Sequence, residues 1–357
     1  MKLTIDPAEL KSIVTYAQAG IDKRYSQTIM TGMLLAANDG ELRATGATME
    51  QHASAITSAD VIEPGKILIP GQSISAAVSR MRGKNPVQIS VNDTQAIIAQ
   101  GAKVFSINLM PIEEYPVGIT DPMPAIGTVD GSALAHTVGL VEGAAASPNQ
   151  SATLSGVLLR IESDRISATA TDRYRIAIAE TGWEPAEESR HDLLVAADWL
   201  RFAAKNIAAE TTIHTDGTQI AITSGGYTTS TRLMSGDYPK IKSLFDNIGT
   251  EPHTVERAAF LDAVDTVAVM ADASAPVRLT ARKGVISIDA GGTEGTGIAQ
   301  VRTSSDDEFQ IAVNPTYLLW TLRAHGSDEI TFTPNGARPI LIGGDSGAQH
   351  LIMPVRL

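Results

Sequence analysis

Apolar residues near the start of the chain recur at the spacing of an amphipathic helix. Four of them lie at i, i+3, i+4 and i+7: Leu10, Ile13, Val14 and Ala17. Asp6 is suited to cap this helix, Pro7 to its first position, and Glu9 to complete a capping box. The pattern therefore predicts a helix that begins just after Asp6 and turns one apolar face to a core.

Five further helices follow from similar patterns. Asp130 precedes a stripe at the same spacing, at residues 134, 137, 138 and 141, and residues 255–270 are helical in pattern without an evident N-cap. Three shorter helices, each after a short apolar strand, are predicted at residues 72–82, 198–207 and 316–323. For the last of these, Asn314 is the predicted cap and Pro315 the first helical residue.

The segments between the helices have the pattern of short strands. Residues 34–42 form two apolar runs joined by Asn38-Asp39-Gly40, and residues 213–222 turn at Asp216-Gly217. Such residues tolerate the positive φ angles of tight hairpins. Many short strands with two helices per segment predict an α+β fold with mainly antiparallel sheet.

One pattern of about 120 residues occurs three times. Between the first two copies the offset is 123 or 124 residues, and it relates Asp6 to Asp130, residues 32–35 to 156–159, 94–95 to 218–219, and 115–116 to 238–239. A more diverged third copy starts near His253, where residues 277–280 correspond to 157–160 and residues 309–313 to 192–196. The period is that of a whole domain, so we expect three domains at residues 1–120, 127–247 and 252–357.

Composition excludes several classes of protein. The 357 residues include no cysteine, which excludes disulfides, thiolate zinc sites and cysteine nucleophiles. The seven histidines never occur at metal-ligand spacing, so we expect neither a metal nor another cofactor. The N-terminus lacks the apolar core of a signal peptide and no stretch approaches 18 apolar residues, so we expect a cytoplasmic protein without membrane contact.

Two glycine-rich segments raise the question of an enzyme. Residues 344–347 have the Gly-Asp-Ser-Gly sequence of a trypsin-like nucleophile segment, but the chain lacks the corresponding histidine segment and ends eleven residues after Ser346. Residues 291–297 match neither a P-loop nor a dinucleotide fingerprint. Both segments are better interpreted as loops, and we expect that the protein is not an enzyme.

Two motifs resemble those of one known family. Residues 170–177, Ala-Thr-Asp-Arg-Tyr-Arg-Ile-Ala, are similar to the Ala-Thr-Asp-Gly-His-Arg-Leu segment of the bacterial DNA polymerase III β subunit, the DNA sliding clamp. Residues 353–357, Met-Pro-Val-Arg-Leu, are similar to that family's Met-Pro-Met-Arg-Leu ending. Residues 237–239, 314–317 and 336–340 give further matches. The five segments lie at matching intervals, so the resemblance covers the whole chain.

The resemblance implies both a fold and a function. It implies an α+β fold of three tandem clamp domains, each with two helices packed on antiparallel sheets, and a head-to-tail homodimeric ring. It implies that the ring encircles duplex DNA without regard to sequence and tethers the replicative DNA polymerase, which binds, like the clamp loader, through short peptide motifs. The alternative left open is a multi-domain adaptor that binds peptides without encircling DNA.

The resemblance also implies a peptide pocket between the second and third domains. Carried over by motif, its members are Leu154, Thr171, Arg173, Tyr174, Arg175, Ile176, Pro239, Leu244, Asn314, Tyr317, Pro339, Ile352, Met353, Pro354, Val355, Arg356 and Leu357. An extended peptide with Leu or Phe anchors needs an apolar cleft and a few polar groups, among which Arg175 is the predicted partner of a peptide oxygen. Without the C-terminal match, residues 171–177 would be interpreted as a plain strand end with surface arginines, and the alternative for residues 353–357 is a frayed tail.

The pocket departs from the family pattern at five positions. Arg173 stands where Gly is common, Ser151 and Ser243 where Arg is often found, Ser274 where an aromatic residue can occur, and Val355 in place of Met. The exact partner motif is therefore left open.

Ring closure would join the first domain of one subunit to the third domain of the other. Phe105 and Ile107 alternate along a predicted strand of the first domain, while Val267 and Met270 lie at the end of a predicted helix of the third. An apolar cluster of these residues would join two subunits. The alternative is that all four fill the cores of their own domains.

Charge gives a mixed signal about DNA. The net charge of −12 argues against phosphate binding, but several basic residues lie on or just beyond the predicted helices. They are Lys11, Lys23, Arg24, Arg80, Arg82, Lys84, Arg201, Lys205 and Arg323. If the helices line the hole of a ring, these residues face DNA, and a topological link needs only such weak attraction. The alternative is that they are ordinary solvated helix faces.

Overall fold

The computed structural model describes residues 1–21, 28–113, 115, 123–207, 209–245, 248, 251–272, 275–293, 295–345 and 347–355. Among these, Met1–Gly131 with Asn206–Leu233 form one compact unit, and Ser132–Lys205 with Met234–Leu357 form another. Each unit holds an antiparallel sheet to which two sequence copies contribute strands.

The elements repeat in the order predicted from the sequence. The first copy contains β1 (Lys2–Ile5), α1 (Pro7–Gln18), β2 (Gly32–Asn38), β3 (Glu41–Ala47), β4 (Gln51–Ser58), β5 (Asp60–Glu63), β6 (Gly65–Pro70), α2 (Gly71–Val78), β7 (Val87–Val91), β8 (Gln95–Gln100) and β9 (Lys103–Asn108). The second contains β10 (Ala125–Asp130), α3 (Gly131–Val141), β11 (Gly156–Glu162), β12 (Arg165–Thr171), β13 (Arg175–Gly182), β14 (Glu184–Pro185), β15 (Arg190–Ala196), α4 (Ala197–Ala204), β16 (Glu210–Thr215), β17 (Gln219–Ser224) and β18 (Tyr227–Arg232).

The third copy has the same plan. It contains β19 (His253–Glu256), α5 (Arg257–Ala268), β20 (Val277–Arg282), β21 (Val285–Gly292), β22 (Gly295–Arg302), β23 (Phe309–Val313), α6 (Pro315–Ala324), β24 (Glu329–Thr333), β25 (Ile340–Gly343) and β26 (Ala348–Ile352). The α+β prediction is confirmed.

The strand order shows how successive copies join. In the first unit one sheet has the order β5-β1-β7-β8-β9, and the other includes β10-β16-β17-β18-β4-β3-β2-β6. In the second unit the orders are β15-β11-β12-β13-β26-β25-β24-β19 and β22-β21-β20-β23. Strand β18 of the second copy thus pairs with β4 of the first, and β26 of the third copy pairs with β13 of the second. We call these two pairings the first joint and the second joint.

The helix N-termini show which capping residues could be predicted from the sequence. Asp6 caps α1, since its carboxylate accepts hydrogen bonds from the amides of Ala8 and Glu9, and Asn314 caps α6. The predicted capping box is not formed, because the Glu9 carboxylate instead accepts a hydrogen bond of 2.7 Å from the Thr57 hydroxyl. Helix α5 is capped by Glu256, an unusual capping residue, which explains why the sequence pattern left its start unclear.

Two short helices end earlier than predicted. Helix α2 ends at Val78 and α4 at Ala204, whereas the sequence pattern continued to residues 82 and 207. After α2 the backbone forms single turns, in which the Arg80 amide donates to Ala77, and Gly83 then adopts a φ of 85°. The basic residues 80, 82 and 84 therefore follow the helix on a loop.

Each copy is held by an aliphatic core between its helices and sheets. In the third copy this core includes Phe260, Val264, Leu318 and Phe332, which are at most 2% exposed. The rings of Phe260 and Phe332 pack edge to face with centroids 5.9 Å apart. None of the described helices is both long enough and apolar enough to span a bilayer.

Candidate functional site

The turn between β12 and β13 carries the most specific sequence motif and is fixed by its own side chains. The Asp172 carboxylate accepts hydrogen bonds of 3.0 Å from the amides of Tyr174 and Arg175. The Thr171 hydroxyl donates to the Arg175 carbonyl at 2.7 Å and accepts from the Arg173 amide at 3.1 Å. Short Thr and Asp side chains favour such local bonds, so the motif specifies a rigid turn.

An apolar cluster lies next to this turn. Pairing of β13 with β26 places Ile176 opposite Leu351. Ile241, from the segment that joins the second and third copies, packs on both, and Phe245 and Ile248 pack against the cluster. The joining segment is thereby held across the face of the second joint.

A cavity of about 460 Å³ opens between the turn and the joining segment. It is lined by Ser151, Thr153, Leu154, Thr171, Arg173, Ile176, Asp237, Pro239, Ile241 and Leu244. Its apolar part comes from Leu, Ile and Pro side chains, while hydroxyls, one guanidinium and one carboxylate form its polar part. This combination suits an extended peptide with an apolar anchor.

The cavity contains six of the predicted pocket residues. They are Leu154, Thr171, Arg173, Ile176, Pro239 and Leu244. The sequence analysis named Ser151 only as a departure from the family's pocket pattern, and it missed Thr153, Asp237 and Ile241 as lining residues. Asp237 belongs to the matched segment 237–239, so the motif itself carried a signal for it. Ile241 carried none, because a single apolar residue in a loop does not reveal what it packs on.

Arg175 lies beside the cavity in a network of its own. Its Nε donates to the Asp172 carboxylate at 3.0 Å, and its guanidinium lies over the rings of Tyr317 and Trp320, at 4.6 and 5.1 Å from their centroids. Both side chains of the ion pair are largely buried, at 13% and 9% exposure. The predicted role for Arg175, holding a peptide oxygen, therefore competes with contacts that already engage it.

The end of the chain lies against the same turn. The Met353 amide donates to the Tyr174 carbonyl and the Val355 amide to the Ala312 carbonyl, each at 2.8 Å. The tail up to Val355 is thus held at two points and is not frayed. Several large apolar side chains of the turn, the tail and the joining segment are exposed: Met353 at 40%, Val355 at 41%, Tyr174 at 61% and Leu244, which lines the cavity, at 49%.

The remaining predicted pocket residues that the structure describes do not line this cavity. The Asn314 side chain accepts from the Thr316 amide at the start of α6, Ile352 is buried in the core of the third copy, and Pro339 and Pro354 are partly buried. Arg356 and Leu357 lie outside the described residues, as does Ser274.

A second cavity, of about 810 Å³, lies on the other side of the joining segment and shares Pro239 and Ile241 with the first. Its charged lining residues are largely paired with one another or with neighbours, for example Arg165 with Glu180 at 2.9 Å.

The residues predicted for the subunit interface divide into two groups. Ile107 is 7% exposed, and Val267, at 1%, belongs to the core of the third copy, so for these two the alternative of a core role is favoured. Phe105 and Met270 are partly exposed. Two further apolar residues, Val104 and Ile298, are 61% and 72% exposed and lie on the edge strands β9 and β22.

The predicted DNA-facing residues also divide into exposed residues and residues held in ion pairs. Lys11, Arg80, Arg82, Lys84 and Lys205 are exposed. Arg201 is paired with Glu142 and Asp198, and Arg323 with Asp265 at 2.8 Å, which offsets their charge. Lys23 and Arg24 lie outside the described residues. Within the described part of the chain, no group of three or more potential metal ligands occurs.

Family models match three consecutive parts of the chain. They are described as the N-terminal, central and C-terminal domains of the DNA polymerase III beta subunit and match residues 1–119, 128–240 and 242–356. The beta sliding clamp of Streptomyces coelicolor is 32% identical, with 100% of both chains covered. That of Micrococcus luteus is 31% identical over 82% of this chain and 95% of its own.

Solved structures show the same fold. A sliding clamp from Pseudomonas aeruginosa bound to griselimycin has a TM-score of 0.94 at 20% identity, with 100% of both chains covered. One from Bacillus subtilis has a TM-score of 0.91 at 23% identity and covers 100% of this chain and 99% of its own. Three repeated α+β domains joined edge to edge define the class of DNA clamps. The chain belongs to the DNA polymerase III beta subunit family.

Proposed function

We propose that two copies of this chain close head to tail into a ring that encircles duplex DNA, and that the replicative polymerase and the clamp loader bind it through short peptides in the cavity at the second joint. The ring holds on to DNA by topology, so binding is independent of sequence. The protein acts as a processivity factor and catalyses no reaction itself.

The observation that carries this proposal is the way in which the copies join. At both joints, the last strand of one copy pairs with a strand of the preceding copy, namely the third strand after that copy's first helix. The pairs are β18 with β4 and β26 with β13. The strands equivalent to these, β9 in the first copy and β22 in the third, are each at the edge of a described sheet. One chain thus supplies both halves of a third joint, and a second chain can complete it.

The register of this third joint follows from the other two. Tyr227 lies opposite Ala55 at the first joint, and at the equivalent positions of the second joint Ala348 lies opposite Ala179. Carried over to β9 and β22, the same register places Val104 opposite Ile298. These are among the most exposed large apolar side chains of the described residues, so pairing them removes apolar surface from water.

The exposed lysines and arginines on and after the helices support DNA passage through such a ring. They are few and, in part, paired with carboxylates, which suits sliding because tight phosphate contacts would hold the ring in place. The peptide role is supported by the size of the cavity and by the exposed apolar residues around it.

The oligomeric state tests ring closure directly. We expect a dimer of twice 37.6 kDa, and Ile298→Asp should give monomers because the charge would be buried opposite Val104. Ile62→Asp is the matched control, since Ile62 is also exposed, at 56%, but lies on β5 away from the proposed joint. A monomeric wild-type chain, or a dimer that Ile298→Asp leaves intact, would contradict the proposed interface.

DNA topology distinguishes a clamp from an adaptor. After loading, the ring should stay on nicked circular DNA and be lost when that DNA is linearised. Equal retention on both forms would favour an adaptor that does not encircle DNA.

A deletion tests the cavity. Removal of residues 353–357 should abolish stimulation of the polymerase and leave the dimer intact. Loss of the dimer would contradict the assignment of the tail to the pocket.

A further inference from the structure

Arg173 has a backbone conformation that few residues other than glycine adopt. Its φ is 80°, and the hydrogen bonds of Thr171 and Asp172 hold the turn in place around it. Met49, at the equivalent position of the first copy, does not have a positive φ. An arginine therefore occupies a strained position at the mouth of the cavity, where glycine would be accommodated without strain.

The Arg173 guanidinium is also without a charged partner. Most arginines on this part of the molecule are paired: Arg160 with Asp192, Arg165 with Glu180 and Arg175 with Asp172. Arg173 is exposed and makes no ion pair or side-chain hydrogen bond with any residue that the structure describes. The cavity's one lining carboxylate in the described chain belongs to Asp237, which forms no ion pair with Arg173.

We propose that Arg173 selects partner peptides that carry an acidic residue beside the apolar anchor. The inference rests on the proposed function of the cavity as a peptide site. An anchor seated on Ile176 and Leu154 brings the flanking residues of the peptide past the turn, within reach of the Arg173 side chain. A guanidinium with free donors forms bidentate hydrogen bonds with a carboxylate, and the rigid turn fixes where that carboxylate must lie.

Peptide binding measured by fluorescence anisotropy tests the proposal. The probes are labelled ten-residue peptides with one Leu and one Phe as anchors, and Asp, Asn or Lys at each position flanking them. We expect one flanking position at which the Asp peptide binds roughly fivefold more tightly than its Asn counterpart at low salt, the scale of an exposed ion pair. The Lys peptide should bind more weakly than both, and added salt should reduce the difference.

Two substitutions at Arg173 separate specificity from folding. Arg173→Gln should bind the Asp and Asn peptides with equal affinity. Arg173→Gly should lose the preference in the same way and also raise the melting temperature, because glycine relieves the positive φ. Asp237→Asn is the matched control for charge in the same cavity, and it should keep the preference for Asp.

The outcomes distinguish this inference from the proposed function. If no peptide binds the wild-type chain, the proposed peptide site is wrong. If the peptides bind regardless of flanking charge, or if Arg173→Gln keeps the preference for Asp, the site stands and the role of Arg173 is refuted.

Discussion

The first and second joints have the same backbone geometry and different chemistry. Each is an antiparallel pairing of five residues in equivalent register. Three positions on one face of the paired strands differ: His52, Ser54 and Ser230 at the first joint against Ile176, Ile178 and Leu351 at the second. The apolar cluster beside the cavity is built from the second set.

The difference shows how one repeat acquires a binding site. A tyrosine near the end of each of the first two copies donates to the same strand position of that copy: Tyr115 to the Thr45 carbonyl at 3.3 Å and Tyr238 to the Thr169 carbonyl at 3.4 Å. The scaffold is therefore common, and exchanging three polar side chains for aliphatic ones converts a structural joint into a surface for apolar anchors. Conversely, polar residues buried at the first joint cost stability wherever they lack a hydrogen-bond partner.

Both joints contain a buried histidine that is neutral in the folded protein. Burial, with a smaller contribution from Arg43, lowers the pKa of His52 to about 4. Burial and the neighbouring His325 lower the pKa of His350 to about 3. Each group therefore binds a proton more readily in the unfolded chain, where its pKa is near 6.5.

At the second joint a chain of hydrogen bonds explains the neutral state. His350 donates from Nε2 to the Leu140 carbonyl at 2.7 Å, so its Nδ1 accepts from His325 Nε2 at 3.0 Å. His325 Nδ1 in turn accepts from the Asp345 amide at 3.1 Å. Protonating the acceptor nitrogen of either ring would break one of these bonds.

The largest expected effect is on acid stability. For a histidine whose pKa is lowered by folding, the free energy of unfolding is highest above pH 6.5 and falls as the pH decreases towards the folded pKa. From pH 7 to pH 4 we expect a loss of a few kcal/mol, at about 1.4 kcal/mol per pH unit for each fully coupled histidine. Urea unfolding at a series of pH values measures this loss in the free energy of unfolding.

His52→Ile sharpens this test, because it gives the first joint the residue found at the second. The variant should lose less stability between pH 6.5 and pH 4 than the wild-type chain, since the His52 contribution is removed while that of His350 remains. An unchanged pH profile would mean that His52 does not titrate as its burial requires.

The next largest effect concerns Ile176. Ile176→His gives the second joint the chemistry of the first and should weaken peptide binding by more than tenfold, because the floor of the cavity loses its apolar anchor contact. The free energy of unfolding should fall by about 3 kcal/mol, the usual scale for losing a buried aliphatic side chain. Calorimetric titration with an anchor peptide and urea unfolding measure the two effects. Ile178→Ser is the control, since Ile178 lines the second cavity and not the first.

The sequence predicted features formed by neighbouring residues better than contacts between residues far apart in the chain. The Asp6 cap and the Asn38-Asp39-Gly40 hairpin follow from short-range patterns, and the structure confirms them. The pairing of β4 with β18 joins residues more than 170 positions apart, which no local pattern encodes. A period of two likewise identified alternating residues on β9 but not which face is exposed: Ile107 is 7% exposed and Val104, on the other face, is 61% exposed.

Within the candidate site, motif residues were predictable and their surroundings were not. Thr171 and Asp172 specify their own turn, because each bonds to a backbone group within a few positions. The burial of Arg175 under Trp320 depends on a helix from another copy and has no counterpart in the sequence pattern.

The smallest expected effect is a difference in stability between variants of two tyrosines, Tyr115 and Tyr238, which bond to equivalent strand positions. Burial raises the pKa of both Tyr115 and Tyr238, so each hydroxyl is a neutral donor at any physiological pH. Tyr115→Phe removes a hydroxyl that also lies 3.3 Å from the Gly32 carbonyl, whereas Tyr238→Phe removes one contact of 3.4 Å.

We expect Tyr115→Phe to cost about 1 kcal/mol and Tyr238→Phe less, because a buried neutral hydrogen bond contributes on that scale and the longer bond contributes less. Urea unfolding of the two variants side by side measures the difference. The peptide affinity of Tyr238→Phe should stay close to that of the wild-type chain, since Tyr238 does not line the first cavity. A larger loss of stability in Tyr238→Phe, or a clear loss of peptide binding, would mean that the segment at the second joint depends on this hydroxyl rather than on the packing of Ile241.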